Sequence, residues 1–109
     1  MQPTFVPGTM KTMTGTNDVN QWRFVGGDGN QCGAGARSYG VSMMEAVAGN
    51  PYTAIISGES LVELGAAANA GDEVESDANG CAIPLNTGKA NGVISVSGTT
   101  GDLVPVCVK

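Results

Sequence analysis

Residues 73–85, EVESDANGCAIPL, show most clearly the local pattern from which we predict the fold class. Two short runs, 73–77 and 81–85, flank Asn79-Gly80, a dipeptide that hairpin turns favour because both residues tolerate positive φ. The stretch therefore predicts a β-hairpin. Pro84 lies inside the second run and lacks a backbone donor, which predicts a strand at a sheet edge or one with a bulge.

Short apolar runs separated by turn residues continue through the rest of the chain. Glycine, with 17 of 109 residues, punctuates short Val-rich runs at intervals of roughly ten residues, which is typical of sandwiches and barrels. The candidate strands are residues 9–14, 21–25, 39–43, 52–57, 60–64, 73–77, 81–85, 93–97 and 103–108. We therefore expect an all-β fold, a small β-barrel or β-sandwich of about seven to nine short strands with little helix. An extended N-terminal arm over 1–8 would precede a single β domain over 9–109.

The residues between and within the other runs predict further turns and strand positions. Ser57-Gly58-Glu59 predicts a second hairpin, and Asn91-Gly92 predicts a turn like that at Asn79-Gly80. Pro105, inside the last run, predicts another edge or bulged strand. Alternation over 21–25 places Trp22 and Phe24 on one inward face.

Two segments have some helical character. Residues 60–63 match a capping box, yet Gly65 interrupts the Ala-rich run after it, so we expect a loop or one helical turn over 65–69. A second helical turn could occupy 43–47. Residues 26–36 form a Gly-rich loop, either flexible or ordered only against a partner.

Composition excludes several classes of function. Ten carboxylates against five Lys and Arg, a net charge of −5, predict no nucleic acid partner and no membrane partner. No basic segment followed by an apolar one opens the chain, so we expect no signal peptide and a cytoplasmic origin. Three widely spaced cysteines without any histidine predict free thiols and no metal site, with Cys81 and Cys107 in the core.

Motifs for catalysis are missing from the sequence. The glycine spacing after Gly27 departs from GxGxxG and leads into a strand-like run, and no histidine could serve as a general base. Glu73, Glu75 and Asp77 would line one face of a strand, as an acid/base or Ca²⁺ cluster or as a solvated outer face. We favour the solvated face, and predict a protein that is not an enzyme and has no catalytic residues and no cofactor.

The order of the motifs after Gly40 resembles that of the tailed-phage capsid cement (head decoration) protein family. Gly40-Val-Ser is followed by residues 52–56, then by AAANAGDEV at 66–74, DANG at 77–80, GVI at 92–94 and GDLV at 101–104. Both GDxV copies are present, thirty residues apart. In that family they mark strand entries, and the second closes the chain. Pro105 departs from the family's usual strand residue.

The resemblance implies a structural virion protein that binds the outside of a phage capsid. It would stabilise the assembled shell by clamping neighbouring major capsid proteins, after assembly in the bacterial host cytoplasm. The expected partners are the major capsid protein and further copies of the chain, as a trimer or dimer. The expected interface residues are Phe5, Val6, Trp22 and Arg23. The alternative is a non-catalytic β binding module, a tail or adhesion accessory that recognises a glycan or a protein.

Overall fold

The computed structural model describes residues 7–108, with side chains from Thr9 onward, and this region contains eight strands and no helix. The strands are β1 (Pro7–Thr14), β2 (Phe24–Val25), β3 (Gly40–Ser42), β4 (Pro51–Glu63), β5 (Glu73–Ser76), β6 (Ala82–Pro84), β7 (Gly92–Ile94) and β8 (Leu103–Val108). The all-β prediction is confirmed. Residues 43–47 and 65–69, the two candidates for a helical turn, are loops.

The strands form one antiparallel sheet that nearly closes into a barrel. Its order is β2-β3-β4-β8-β7-β5-β6, and β1 pairs with β4 outside this path. The two ends of the path are covered by the chain itself. Leu64 forms a parallel bridge to Ala82 of β6, and the Phe24 N–H of β2 donates to the Gly80 carbonyl over 2.8 Å.

Two apolar clusters lie on opposite sides of β4. Ala54 and Ile55 are consecutive and both fully buried, and they belong to different clusters. The larger cluster contains Phe24, Cys32, Val41, Ile55, Val62, Leu64, Ala68, Val74, Ala82, Ile94, Val104, Val106 and Val108. The smaller cluster contains Met13, Val19, Val25, Tyr52 and Ala54. Strand β4 is therefore buried on both faces, as a central strand must be.

The hairpin predicted at Ser57-Gly58-Glu59 is wrong, because β4 runs through it without a turn. Gly58 has a φ of +91°, a conformation open to glycine, and it pairs with Pro7 of β1 and with Val108 of β8. It therefore lies where β4 changes from pairing with β1 to pairing with β8. The irregular backbone at this position within a strand requires glycine. In the sequence, a glycine with this role looks the same as a glycine in a turn.

Pro105 corrects a second expectation, since β8 lies between β4 and β7 and not at an edge. The Pro105 carbonyl accepts the Ser95 N–H over 3.1 Å, and in a strand the nitrogen and carbonyl of one residue face the same side. Ser95 follows the last residue of β7, so the missing donor of Pro105 faces a position where β7 has already ended. Pro84, by contrast, lies in β6 at the end of the sheet, as predicted.

The turn predicted at Asn91-Gly92 is also wrong. Gly92 is the first residue of β7, and a Cβ there would lie 2.6 Å from the Cys107 carbonyl oxygen. Asn91 is buried, and its carboxamide accepts the Ser38 N–H and donates to the Ala36 carbonyl. Gly92 therefore allows close packing against β8, and Asn91 links β7 to the loop before β3. In the sequence, an Asn-Gly pair with these roles looks the same as an Asn-Gly turn.

An eleven-residue loop occurs four times, which no single stretch of sequence reveals. Its copies, called the loop repeats, are residues 15–25, 42–52, 64–74 and 94–104. At the fifth position each copy has a bridging residue: Val19, Ala46, Ala68 and Gly98. At the eighth position each has a positive φ: Trp22, Gly49, Gly71 and Gly101. A strand begins at the tenth position of every copy: β2, β4, β5 and β8.

The loop repeats associate in pairs through reciprocal hydrogen bonds. In the pair formed by the third and fourth copies, the Gly101 N–H donates to Leu64 O and the Gly71 N–H to Ile94 O, both over 2.8 Å. In the pair formed by the first and second copies, the Gly49 N–H donates to Gly15 O over 2.9 Å. Both GDxV motifs are thus the ends of paired loop repeats, and each leads into a strand as the resemblance implied.

The aspartates of the GDxV motifs hold their turns closed. Asp72 Oδ2 accepts the Asn69 N–H, and Asp102 Oδ2 accepts the Thr99 N–H, each over 2.9 Å. These are the aspartate-to-backbone bonds that stabilise turns. The shared geometry of the two copies therefore needs no ligand to explain its carboxylates.

Candidate functional site

Arg23, one of the expected interface residues, joins three parts of the barrel. Its Nη1 donates to the Asn79 carbonyl over 3.0 Å, and its Nη2 contacts Glu63 Oε1 at 3.2 Å. This ties the entry of β2 to the β5–β6 turn and to the end of β4, where the path of strands closes. Because its side chain is only 16% exposed, most of Arg23 is committed to the fold.

Trp22 is the second expected interface residue, and it lies in a turn, because β2 starts only at Phe24. Its φ is +62°, and it is half-buried against the larger cluster. The Trp22 N–H donates to Ser42 O, and its carbonyl accepts the Glu63 N–H. The prediction that Trp22 and Phe24 share one strand face is therefore wrong. Phe5 and Val6, the other expected residues, lie outside the described region.

The three carboxylates at alternate positions of β5 do not form a catalytic or metal cluster. Glu73 is exposed, while Glu75 is buried and its Oε1 accepts the N–H groups of Asn86 and Gly88 at 2.7 and 2.9 Å. Asp77 accepts the N–H groups of its own turn. A solvated face was thus correct for Glu73 only. No group of three potential metal ligands occurs within residues 7–108, and no helix there is long and apolar enough to cross a membrane.

The cysteines are free thiols in two environments. Burial and then the charge of Asp28 raise the pKa of Cys32 to about 11. Burial also raises the pKa of Cys81, although Arg23 opposes this shift. Cys107 was expected in the core but is exposed, because it faces outward from β8 between the inward Val106 and Val108.

Strand β1 has the edge that the barrel leaves open. Both ends of the strand path are covered, whereas every residue pair of β1 in the described region is made with β4. Met13 is buried, and the other side chains from Thr9 to Thr14 are exposed. A strand held on one side only can accept a further strand on the other. The local pattern predicted β1 but not its position in the sheet.

A polar cleft lies beside β1, on the side of the Gly-rich loop. It has a volume of about 350 Å³ and is lined by Lys11–Thr14, Gly27–Gly29 and Tyr39. The Lys11 ammonium lies 5.3 Å from the centre of the Tyr39 ring, a cation–π contact. Among the aromatic side chains from Thr9 to Val108, Phe24 and Tyr52 are buried and Trp22 is half-buried, whereas Tyr39 is 41% exposed.

No protein-family model and no curated protein matches the sequence. Among solved structures, the chain is similar to the N base of the head fiber gp8.5 of bacteriophage phi29. The match covers 93% of each chain, with a TM-score of 0.75 and 16% sequence identity. The two chains share a fold. At this identity the likeness concerns the fold and not the activity.

Proposed function

We propose that this chain is a structural protein of a phage virion that binds the outside of the capsid. The observation that carries the proposal is the fold shared with a head fiber base over 93% of both chains. The order of the GDxV and DANG motifs, which resembles the cement proteins, supports it independently. A fold alone does not fix a function, so the two likenesses together support the class of protein that we propose and leave its mechanism to be argued separately.

The proposed mechanism is a clamp across neighbouring major capsid proteins. A protein that binds the assembled shell and not its separate subunits stabilises the shell by mass action. The free edge of β1, with residues 1–6 directly before it, is the part of the described chain that can pair with an extended capsid segment. Phe5 and Val6 would supply apolar contacts there. Trp22 and Arg23 would contribute through their exposed fractions only, because the fold uses the rest.

Self-association is part of the same proposal, as a trimer or dimer. Exposed apolar side chains are available to be covered: Met10, Met44, Val47, Leu85, Val96 and Leu103. Light scattering on the purified chain should give a mass two or three times that of the 10.9 kDa monomer. A monomer at all concentrations would confine association to the capsid lattice.

Deletion of residues 1–6 tests the clamp without removing β1. We expect the thermal midpoint of the free protein to stay unchanged while occupancy on purified parent capsids falls sharply. Phe5→Ala and Val6→Ala should each give part of this loss, and Glu45→Ala, at an exposed site in the second loop repeat, should give none. Full occupancy after the deletion would remove the arm from the mechanism. Absence of any capsid binding by the intact chain would favour the alternative, a glycan- or protein-binding accessory module.

A further inference from the structure

The cleft beside β1 shares that strand with the proposed capsid contact and adds the Gly-rich loop and Tyr39 to it. Its lining residues are Lys11–Thr14, Gly27–Gly29 and Tyr39, and the Lys11 ammonium lies over the Tyr39 ring. Volumes of 300–1,000 Å³ are typical of small-molecule sites, and this cleft lies at the lower end of that range. It is therefore large enough for one small polar unit and too small for a large ligand.

Internal hydrogen bonds hold the wall of the cleft that residues 26–30 form. The buried Tyr52 hydroxyl donates to the Gly29 carbonyl over 2.6 Å, and the Gly29 N–H donates to the Gly26 carbonyl over 3.0 Å. The Gly26 N–H in turn donates to the Asn30 carbonyl over 2.9 Å. This part of the Gly-rich loop is ordered by its own chain, so the wall exists before any ligand arrives. A wall formed in advance reduces the entropy that binding must overcome.

The chemistry of the lining selects a neutral, hydroxyl-rich ligand. Lys11 and Asp28 carry opposite charges on the same cleft, so neither a cation nor an anion is favoured overall. The Lys11 ammonium donates, and the Asp28 carboxylate has acceptor capacity beyond the two bonds that it receives from Asn30, which matches neighbouring hydroxyl groups. The Tyr39 ring, 41% exposed beside the Lys11 ammonium, adds a surface for an apolar C–H face. We propose that this cleft binds one neutral saccharide unit, with Tyr39 as the packing surface and Lys11 and Asp28 as hydroxyl partners.

The proposal is tested on the free, full-length chain, so it stands or falls separately from the capsid proposal. The ¹⁵N-labelled protein is titrated with glucose, galactose and N-acetylglucosamine while amide chemical shifts are recorded. We expect saturable shifts with at least one sugar, centred on Gly27, Asp28, Gly29 and Tyr39. Shifts at these amides would place the sugar in the cleft. The Tyr39 N–H donates to the Val25 carbonyl, so its chemical shift is sensitive to any movement of Tyr39.

Variants separate a binding role from a structural one. Tyr39→Ala should abolish the saturable shifts, and Tyr39→Phe should keep them because the ring remains. Lys11→Met should weaken binding on the order of tenfold or more, as expected for loss of a charge-assisted hydrogen bond. Leu85→Ala is the matched control, because Leu85 has similar exposure (38%) outside the cleft and should leave binding unchanged.

Three outcomes would overturn the proposal. The first is an absence of saturable shifts with all three sugars. The second is equal shifts in the parent and in a folded Tyr39→Ala variant, which would place binding elsewhere. The third is a response to short peptides and not to sugars, which would make the cleft a peptide groove. If Tyr39→Ala fails to fold, Lys11→Met decides, since unchanged affinity in that variant contradicts the assigned role.

Discussion

Trp22 occupies the position in the first loop repeat that Gly49 occupies in the second, with φ values of +62° and +83°. Gly71 and Gly101 hold the same position in the other two copies, at +92° and +90°. Trp22 is the only residue with a side chain to adopt positive φ within residues 7–108. A side chain in this conformation costs about 1–2 kcal/mol, which packing against the core must offset.

This relationship predicts an unusual order of stability at position 22. Trp22→Gly should be more stable than Trp22→Ala by about 1 kcal/mol, because alanine keeps the strained φ and glycine relieves it. Phe24, in β2, is the control, and there glycine should be less stable than alanine by roughly 0.5–1 kcal/mol. Urea unfolding of the four variants measures both orders. The same order at both positions would contradict the equivalence of Trp22 with the glycines.

The glycines at the eighth position should be sensitive to alanine for the same reason. Nothing lies within 4 Å of an added Cβ at Gly71 or Gly101, so any cost comes from the backbone alone. We expect each alanine variant to lose about 1 kcal/mol. Gly33 has equally open space without positive φ, so Gly33→Ala should be neutral or slightly stabilising. Thermal or urea unfolding that ranks Gly33→Ala with the other two would contradict this.

The Arg23–Glu63 contact should stabilise the closure of the barrel modestly. Arg23→Met removes the contacts with Glu63 and Asn79 and should cost about 2 kcal/mol, because the Glu63 carboxylate loses a charge-assisted hydrogen bond, whereas the Asn79 carbonyl keeps its bond from Gln31 Nε2. Glu63→Gln should cost less than about 1 kcal/mol, since Glu63 is 32% exposed. A double-mutant cycle measures the coupling, with exposed Arg37→Met as the control. Zero coupling would mean that Arg23 acts through Asn79 and packing alone.

Alkylation should distinguish Cys107 from the other two thiols. Only thiolates react, and burial raises the pKa of Cys32 to about 11 and that of Cys81 above its ordinary value. In the native protein iodoacetamide should therefore modify exposed Cys107 first, and Cys32 and Cys81 only after denaturation. Mass spectrometry of peptides follows each site. A thiol that stays protected in the denatured, unreduced protein would reveal a disulfide and contradict the free-thiol assignment.

Stability should fall in alkaline solution chiefly through two buried groups, Tyr52 and Cys32, with Cys81 contributing in the same direction. Burial, with Asp28 next, raises the pKa of Tyr52 from 10.0 to about 12 and that of Cys32 from 9.0 to about 11. As the pH rises, both groups lose their protons in the unfolded chain at a lower pH than in the folded protein. The free energy of unfolding is therefore at its full value below about pH 9 and declines up to about pH 12. Tyr52→Phe removes the hydrogen bond to the Gly29 carbonyl, so its free energy of unfolding at neutral pH should be lower by roughly 1 kcal/mol.

The same variant provides the control for this pH dependence. Without the Tyr52 hydroxyl, the decline between pH 10 and 12 should become shallower, while the part due to Cys32 remains. Urea unfolding across this pH range measures the slope. An identical slope in Tyr52→Phe would assign the alkaline transition to other groups.

The candidate surface was less predictable than the fold. The motifs after Gly40 carry the resemblance to capsid cement proteins, but they consist of turn residues that the structure uses for its own loops. Trp22 and Arg23 were expected at an interface with the capsid or with further copies of the chain. Their contacts with Ser42, Glu63 and Asn79 connect residues far apart in the chain, which local spacing cannot show. The pairing of Lys11 with Tyr39 across the cleft was missed for the same reason.

Local sequence was enough to predict where most strands lie and the turn at Asn79-Gly80. That dipeptide and the two GDxV motifs act over a few neighbouring residues, and strand and turn propensities are set at that range. The tertiary structure was needed to show which strands are central, why Pro105 is tolerated in β8, why Gly58 lies inside β4, and that β1 has the free edge. These features depend on which distant strand lies opposite each residue. Pairing across the sheet is chosen by the burial of the whole core, and no short window of sequence contains that information.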